Sequence, residues 1–146
     1  MIVIASDHAG VDLKARLIAL VSGAGLEIRD LGPADASSVD YPDFAHDVAS
    51  AVAGGEADRG ILICGTGIGM SLAANRHRRI RAALCHDAFT AEMARLHNDA
   101  NVLCIGARTT GEGVAEQIVR IFLETAFEGG RHQRRIEKIE VEREDR

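Results

Sequence analysis

The sequence predicts an α/β protein: a Rossmann-like, doubly wound sheet of five parallel strands in the order 2-1-3-4-5, with helices on both faces and a C-terminal helix. Three observations predict it. Short apolar runs alternate with segments of helical spacing about five times along the chain. Polar, chemically able residues fall just after those runs, at Asp7-His8, Cys64 to Gly69, His86-Asp87 and Arg108. In open α/β sheets ligands bind at this carboxyl edge, where strand order reverses. A glycine turn, Cys64-Gly65-Thr66-Gly67-Ile68-Gly69, follows the third run and leads into a helix-prone segment.

Ile2 to Ser6 reads as a buried strand. Leu13, Leu17, Ile18, Leu20 and Val21 then fall at helical spacing, and Gly23 and Gly25 end that helix. Leu26 to Leu31 alternates apolar and polar residues, as a less buried second strand does. Residues 32 to 41 form a loop, and Pro42 suits a helix start. Phe44, Ala45, Val48, Ala49 and Val52 stripe that helix until Gly54-Gly55. Ile61 to Cys64 is the third strand, and Met70 to Asn75 the helix behind the glycine turn. Ile80 to Cys85 is a fourth strand, Phe89, Met93 and Leu96 the buried face of a fourth helix, and Asn101 to Gly106 a fifth strand. Thr109 with Glu112 offers a capping box for a helix carrying Val114, Ile118, Ile121 and Phe122, ended by Gly129-Gly130. Arg131 to Arg146 reads as a charged, solvated C-terminal helix or tail. No linker or repeat interrupts residues 1–146, so one domain is expected.

Composition narrows the classes. The chain has 146 residues, no Trp, one Tyr and a net charge of −5, which argues against a polyanion or nucleic-acid binder. Its three cysteines, Cys64, Cys85 and Cys104, each sit in or end an apolar run and form no C-x-x-C spacing. Reduced thiols in a cytoplasmic protein are expected, with neither a disulfide framework nor a metal. No run suits a signal peptide or a membrane span.

The turn's G-x-G-x-G after the third strand differs from the dinucleotide G-x-G-x-x-G after the first. Backbone N–H groups in such a turn can hold an anion or developing negative charge. Read alone, it could equally be a tight connection with no ligand. Cys64 and Thr66 on it favour a site, because a thiol at a helix N-terminus can serve as nucleophile or base. Cys85 and Cys104 read as core. Asp7 could simply cap a helix beside a solvent-facing His8. His97-Asn98-Asp99 could be a helix C-terminus with Asn98 as left-handed cap, or His97 could move protons on a sugar hydroxyl. Arg131 and Arg135, four apart, share a helix face suited to a phosphate dianion, or belong to a solvated tail. Arg76 to Arg79 reads as a surface loop at a strand's amino end.

Several segments together are similar to the ribose-5-phosphate isomerase B group, which also holds galactose- and allose-6-phosphate isomerases. They are Ser-Asp-His-Ala-Gly at 6–10, Asp40-Tyr41-Pro42, Gly54-Gly55, Ile63 to Gly69, Ala73-Ala74-Asn75, Ile80-Arg81-Ala82, His97 to Asn101, and Gly129 to Ile136. The resemblance covers nearly the whole chain. It implies aldose–ketose isomerisation, ribose 5-phosphate to ribulose 5-phosphate, through ring opening and an enediolate, with no metal and no cofactor. A hexose 6-phosphate substrate is the alternative, and a non-catalytic sugar-phosphate binder the third reading. By the resemblance Cys64 is the base at carbon, and Ala73-Ala74 stand where some members carry a glutamate instead. Thr66 relays protons, and the backbone of Gly65, Gly67, Ile68 and Gly69 holds the enediolate. His97, assisted by Asp7, opens the ring. Tyr41 and Asn98 position the sugar, and His8, Arg108, Arg131 and Arg135 bind phosphate. The resemblance also implies a homodimer with shared sites, pairing of dimers being open.

Overall fold

The computed structural model describes residues 1–141 and holds one five-stranded parallel sheet. In chain order the elements are β1 (Ile2–Ser6), α1 (Val11–Gly23), β2 (Ile28–Asp30), α2 (Tyr41–Ala53), β3 (Arg59–Cys64), α3 (Ile68–Ala74), β4 (Ala82–Leu84), α4 (Ala88–Leu96), β5 (Val102–Gly106), α5 (Glu112–Glu124) and α6 (Arg131–Glu137). A short 3-10 turn, His8–Gly10, precedes α1. No described helix is long and apolar enough to cross a membrane.

The strand order is β2-β1-β3-β5-β4, which corrects the expected 2-1-3-4-5. Burial explains the exchange. All five residues of β5 are buried, as an inner parallel strand covered on both faces requires. The three residues of β4, two of them alanine, are only partly buried and suit an edge. The exchange matters for the site. It puts β5, and Arg108 just beyond it, directly beside β3, while His86-Asp87 moves out to the sheet edge.

Alternate residues of the inner strands point to opposite faces and build two cores. On one face Ile2, Ile4, Ile61, Ile63, Leu103 and Ile105 meet α1, α4 and α5, with Phe122 fully buried. On the other, Val3, Ala5, Leu62, Cys64, Val102 and Cys104 meet α2 and α3. Each fully buried large side chain contributes about 1.5–3 kcal/mol. Cys64 therefore belongs to the α2–α3 side of the sheet.

Some local expectations shift. The capping box forms at Asp87 and Thr90, where Asp87 Oδ1 accepts from Thr90 N–H at 2.7 Å. The box expected from Thr109 and Glu112 does not form, because Glu112 starts α5 itself and its carboxylate pairs with Arg16. α5 ends at Glu124 rather than at Gly129-Gly130. The left-handed residue after α4 is Asp99 (φ 44°), not Asn98, and its carboxylate is held by Arg95 and Arg81. The C-terminal helix stops at Glu137, and the remainder of the expected tail, 142–146, lies outside the described residues.

Candidate active site

At the carboxyl edge, β3 ends at Cys64 and the chain turns sharply into α3. Gly67 makes the turn possible. It has φ 78°, and a Cβ there would lie 2.5 Å from Leu84 and 3.0 Å from the Ile105 carbonyl carbon. The turn is tied to the end of β5: Ala107 N–H donates to Cys64 O at 2.8 Å and Arg108 N–H to Gly65 O at 2.9 Å. Gly67 N–H donates to Cys64 Sγ at 3.1 Å. The thiol is 5% exposed. Thr66 stands on the exposed crest, its Oγ1 accepting from Ile68 N–H at 3.3 Å.

Two other glycines leave room for side chains above the turn. A Cβ on Gly69 would lie 2.5 Å from the Tyr41 ring, so the phenol at the start of α2 lies directly over Gly69. A Cβ on Gly65 would lie 3.3 Å from Arg108 Nη1, so the guanidinium lies across the other flank. Asp7 joins from β1. Its N–H donates to Ile63 O at 2.9 Å, which places it next to Cys64. Its carboxylate also caps the 3-10 turn, accepting from Ala9 N–H at 2.9 Å. His8 is half-buried rather than solvent-facing, and its Nδ1 accepts from Val39 N–H at 3.3 Å. Of the other thiols, Cys85 is pushed up to about 11, chiefly by burial. Cys104, fully buried, is raised further by burial and then by the neighbouring Cys64. Neither supplies a thiolate near neutral pH.

The remaining candidates lie elsewhere. α4 starts at the carboxyl edge and runs back, so His97 caps its far end. Arg81, just before β4, donates to Asn98 O at 3.2 Å and Asp99 O at 2.9 Å, and Gly60 N–H at the start of β3 donates to Asn101 O at 2.9 Å. This corner is therefore the amino edge. From Gly60 to Cys64 the strand rises about 13 Å, so His97 and Asn98 do not reach Cys64 within one chain. Arg131 and Arg135 go with His97. Glu128 N–H donates to Leu96 O at 3.1 Å, and the His132 ring stacks on His97 at 4.3 Å between centroids with 13° between planes. Both arginines are exposed, and neither is in an ion pair among the described residues.

The single chain thus splits the expected site in two. Asp7, His8, Tyr41, Cys64, Thr66, Gly65, Gly67, Ile68, Gly69 and Arg108 gather at one edge. His97, Asn98, Arg131 and Arg135 gather at the other. The sequence reading left out two members of the second group, Glu128 and His132. Their four-residue spacing across Gly129-Gly130 was visible, but the stack on His97 needs the packing of α6 against α4. Among the described residues, His97, Glu128 and His132 place donor atoms within 4.8 Å of one another. Nearly parallel rings send their lone pairs along separate lines. A metal ion about 2.1 Å from each nitrogen could not lie on both lines, so the arrangement fits a metal poorly.

These features define a doubly wound α/β protein whose carboxyl edge gathers a thiol, hydroxyls and a guanidinium around a glycine turn. The ribose/galactose isomerase family model matches residues 2–139. The ribose-5-phosphate isomerase B of Escherichia coli (strain K12) is 48% identical over 133 residues, covering 91% of this chain and 89% of its own. The solved ribose-5-phosphate isomerase B of Clostridium thermocellum superposes with a TM-score of 0.93 at 49% identity, covering 94% of this chain and 93% of that one. That of Mycoplasma genitalium, solved with bound ribulose-5-phosphate, gives 0.91 at 46% identity, covering 94% and 92%. The chain belongs to the ribose/galactose isomerase family, and with it to the sugar phosphate aldose–ketose isomerases.

Proposed function

We propose that the protein interconverts ribose 5-phosphate and ribulose 5-phosphate, and that each active site is completed by a second copy of the chain. The observation that carries the reading is the glycine turn: Cys64 buried beneath it with a backbone N–H on its sulfur, and Tyr41 and Arg108 lying over its two flanks. Ribulose-5-phosphate bound to a relative of this fold supports the substrate class.

The chemistry divides between the two groups of residues. In ring opening, His97 of the partner subunit gives a proton to the ring oxygen as the C1–O4 bond breaks. Asp7 takes the proton of the anomeric hydroxyl as the carbonyl forms. Cys64, as thiolate, then removes the proton from C2, and the electron pair moves onto the carbonyl oxygen to give the enediolate. Thr66 passes protons between the two substrate oxygens, and the thiol returns its proton to C1. A carbon-bound proton is far less acidic than a thiol. The enediolate must therefore be held by preorganised donors, the N–H groups from Gly65 to Gly69. One such donor is worth about 10²–10³ in rate.

Phosphate falls to the arginines. Arg108 and His8 approach it from one protomer, and Arg131 and Arg135 of the partner subunit from the other. Ile68 and Leu72, four apart on α3 and 51% and 60% exposed, provide an apolar surface beside the turn for the second copy to cover. The test is a panel of aldose phosphates incubated in chelator, with ketose formation followed by NMR. Ribose 5-phosphate should be turned over fastest and without added metal. Faster turnover of a hexose 6-phosphate would reassign the substrate on the same site.

A further inference from the structure

We propose that His132 and Glu128 are positioning residues for His97, holding its imidazole as a proton donor for ring opening. The inference rests on the reading that His97 opens the sugar ring. It is carried by three observations on residues to which that reading gives no role.

First, the His97 and His132 rings are stacked at 4.3 Å and nearly parallel, and His97 sits on a helix end with its side chain 40% exposed. A free imidazole there would sample several rotamers. Stacking on a buried ring, itself fixed by α6, leaves it one plane to lie in. Second, Glu128 Oε2 lies 4.0 Å from His97 Nε2 and 3.9 Å from His132 Nε2. One carboxylate thus faces the same nitrogen of both rings, at ion-pair distance. Third, His132 is 5% exposed and its Nε2 has no hydrogen-bond partner among the described residues. A buried polar atom left unpaired costs stability, so a role has to account for it.

The charges around the pair act in both senses. They are Glu128 from the linker, Arg131 and Arg135 from α6, and the two imidazoles themselves. Burial first, then the His97 ring and Arg131, hold His132 below the ordinary imidazole value, with Arg135 in the same sense and Glu128 opposed. Glu128 also faces His97, the more exposed ring of the two. Two stacked imidazoles facing one carboxylate repel a second proton.

Ring opening can be separated from the later steps by substrate. Ribose 5-phosphate cyclises and must be opened. Erythrose 4-phosphate lacks the free hydroxyl needed for a furanose and stays open. In Glu128→Gln and His132→Ala, kcat on ribose 5-phosphate should fall by about tenfold, while turnover of erythrose 4-phosphate changes less than twofold. A second readout uses ribose 5-phosphate alone. An acid must be protonated to act, so kcat/KM falls as pH rises through its pKa. Removing the carboxylate in Glu128→Gln disfavours the imidazolium and should move that basic limb to lower pH. An equal loss on both sugars with an unmoved limb marks a merely structural role and overturns the proposal, as does full pentose activity in both variants. His97→Ala separates the two levels. If it loses pentose turnover selectively and the other two variants do not, this inference alone fails. If it shows no selective loss, the ring-opening role of His97 fails and takes the inference with it.

Discussion

The two edges of the sheet hold different kinds of site. At the carboxyl edge the parts are fixed mostly by backbone. Gly67 sets the turn, two backbone hydrogen bonds tie it to the end of β5, and Tyr41 and Arg108 lie where Gly69 and Gly65 leave space. At the amino edge the parts are side chains on surface elements. His97, Arg131 and Arg135 are at least partly exposed and are arranged by a ring stack and by a linker whose backbone is tied to Leu96. The first suits charge stabilisation that must not relax during reaction. The second leaves its titratable and charged groups open at the surface.

The sharpest way to break this comparison is Cys64→Ala. Loss of the base should lower kcat by about 10³-fold or more, with sugar-phosphate binding retained by calorimetry. Substantial residual turnover would remove the thiol from the chemistry. Complementation tests whether the edges meet across a dimer. Cys64→Ala and His97→Ala, each inactive alone, should regain about a quarter of wild-type activity on mixing after dissociation, since half the random dimers carry one intact site of two. No recovery from mixed, folded dimers would place both edges' work in one protomer. Arg135→Ala should raise KM for ribose 5-phosphate about tenfold, the loss of a charge-assisted contact, with kcat little changed. An unchanged KM would move the phosphate elsewhere. Gly67→Ala tests the rigidity of the first edge. Its left-handed φ alone should cost about 1–3 kcal/mol, read as a lowered Tm, and the contacts at Leu84 and Ile105 add to it.

Much of this was legible in the chain. Apolar runs and helical stripes placed all five strands and the starts of all six helices within a few residues, because burial periodicity is a local property, but α5 and α6 end well short of the expected Gly129-Gly130 and Arg146. The strand order was not. β4 and β5 both read as apolar, and deciding which is central meant weighing the shorter, alanine-rich Ala82–Leu84 against the fully buried Val102–Gly106. The glycine turn was legible, since G-x-G-x-G after a buried strand has few structural uses. The reason for each glycine was not, because the atoms that would clash come from Leu84, Tyr41 and Arg108. Glu128 and His132 escaped because their meaning depends on α6 packing against the end of α4.

The sequence by itself determined the chemistry on offer: a thiol at a strand end, glycines that free backbone donors, and histidines and arginines at set spacings. These follow from residue type and short-range pattern. Only the tertiary structure decided which of them share an edge. A helix of nine residues carries His97 back along the sheet, away from the turn at Cys64. The distance between the two follows from the sheet's dimensions and the strand order, which no local pattern encodes.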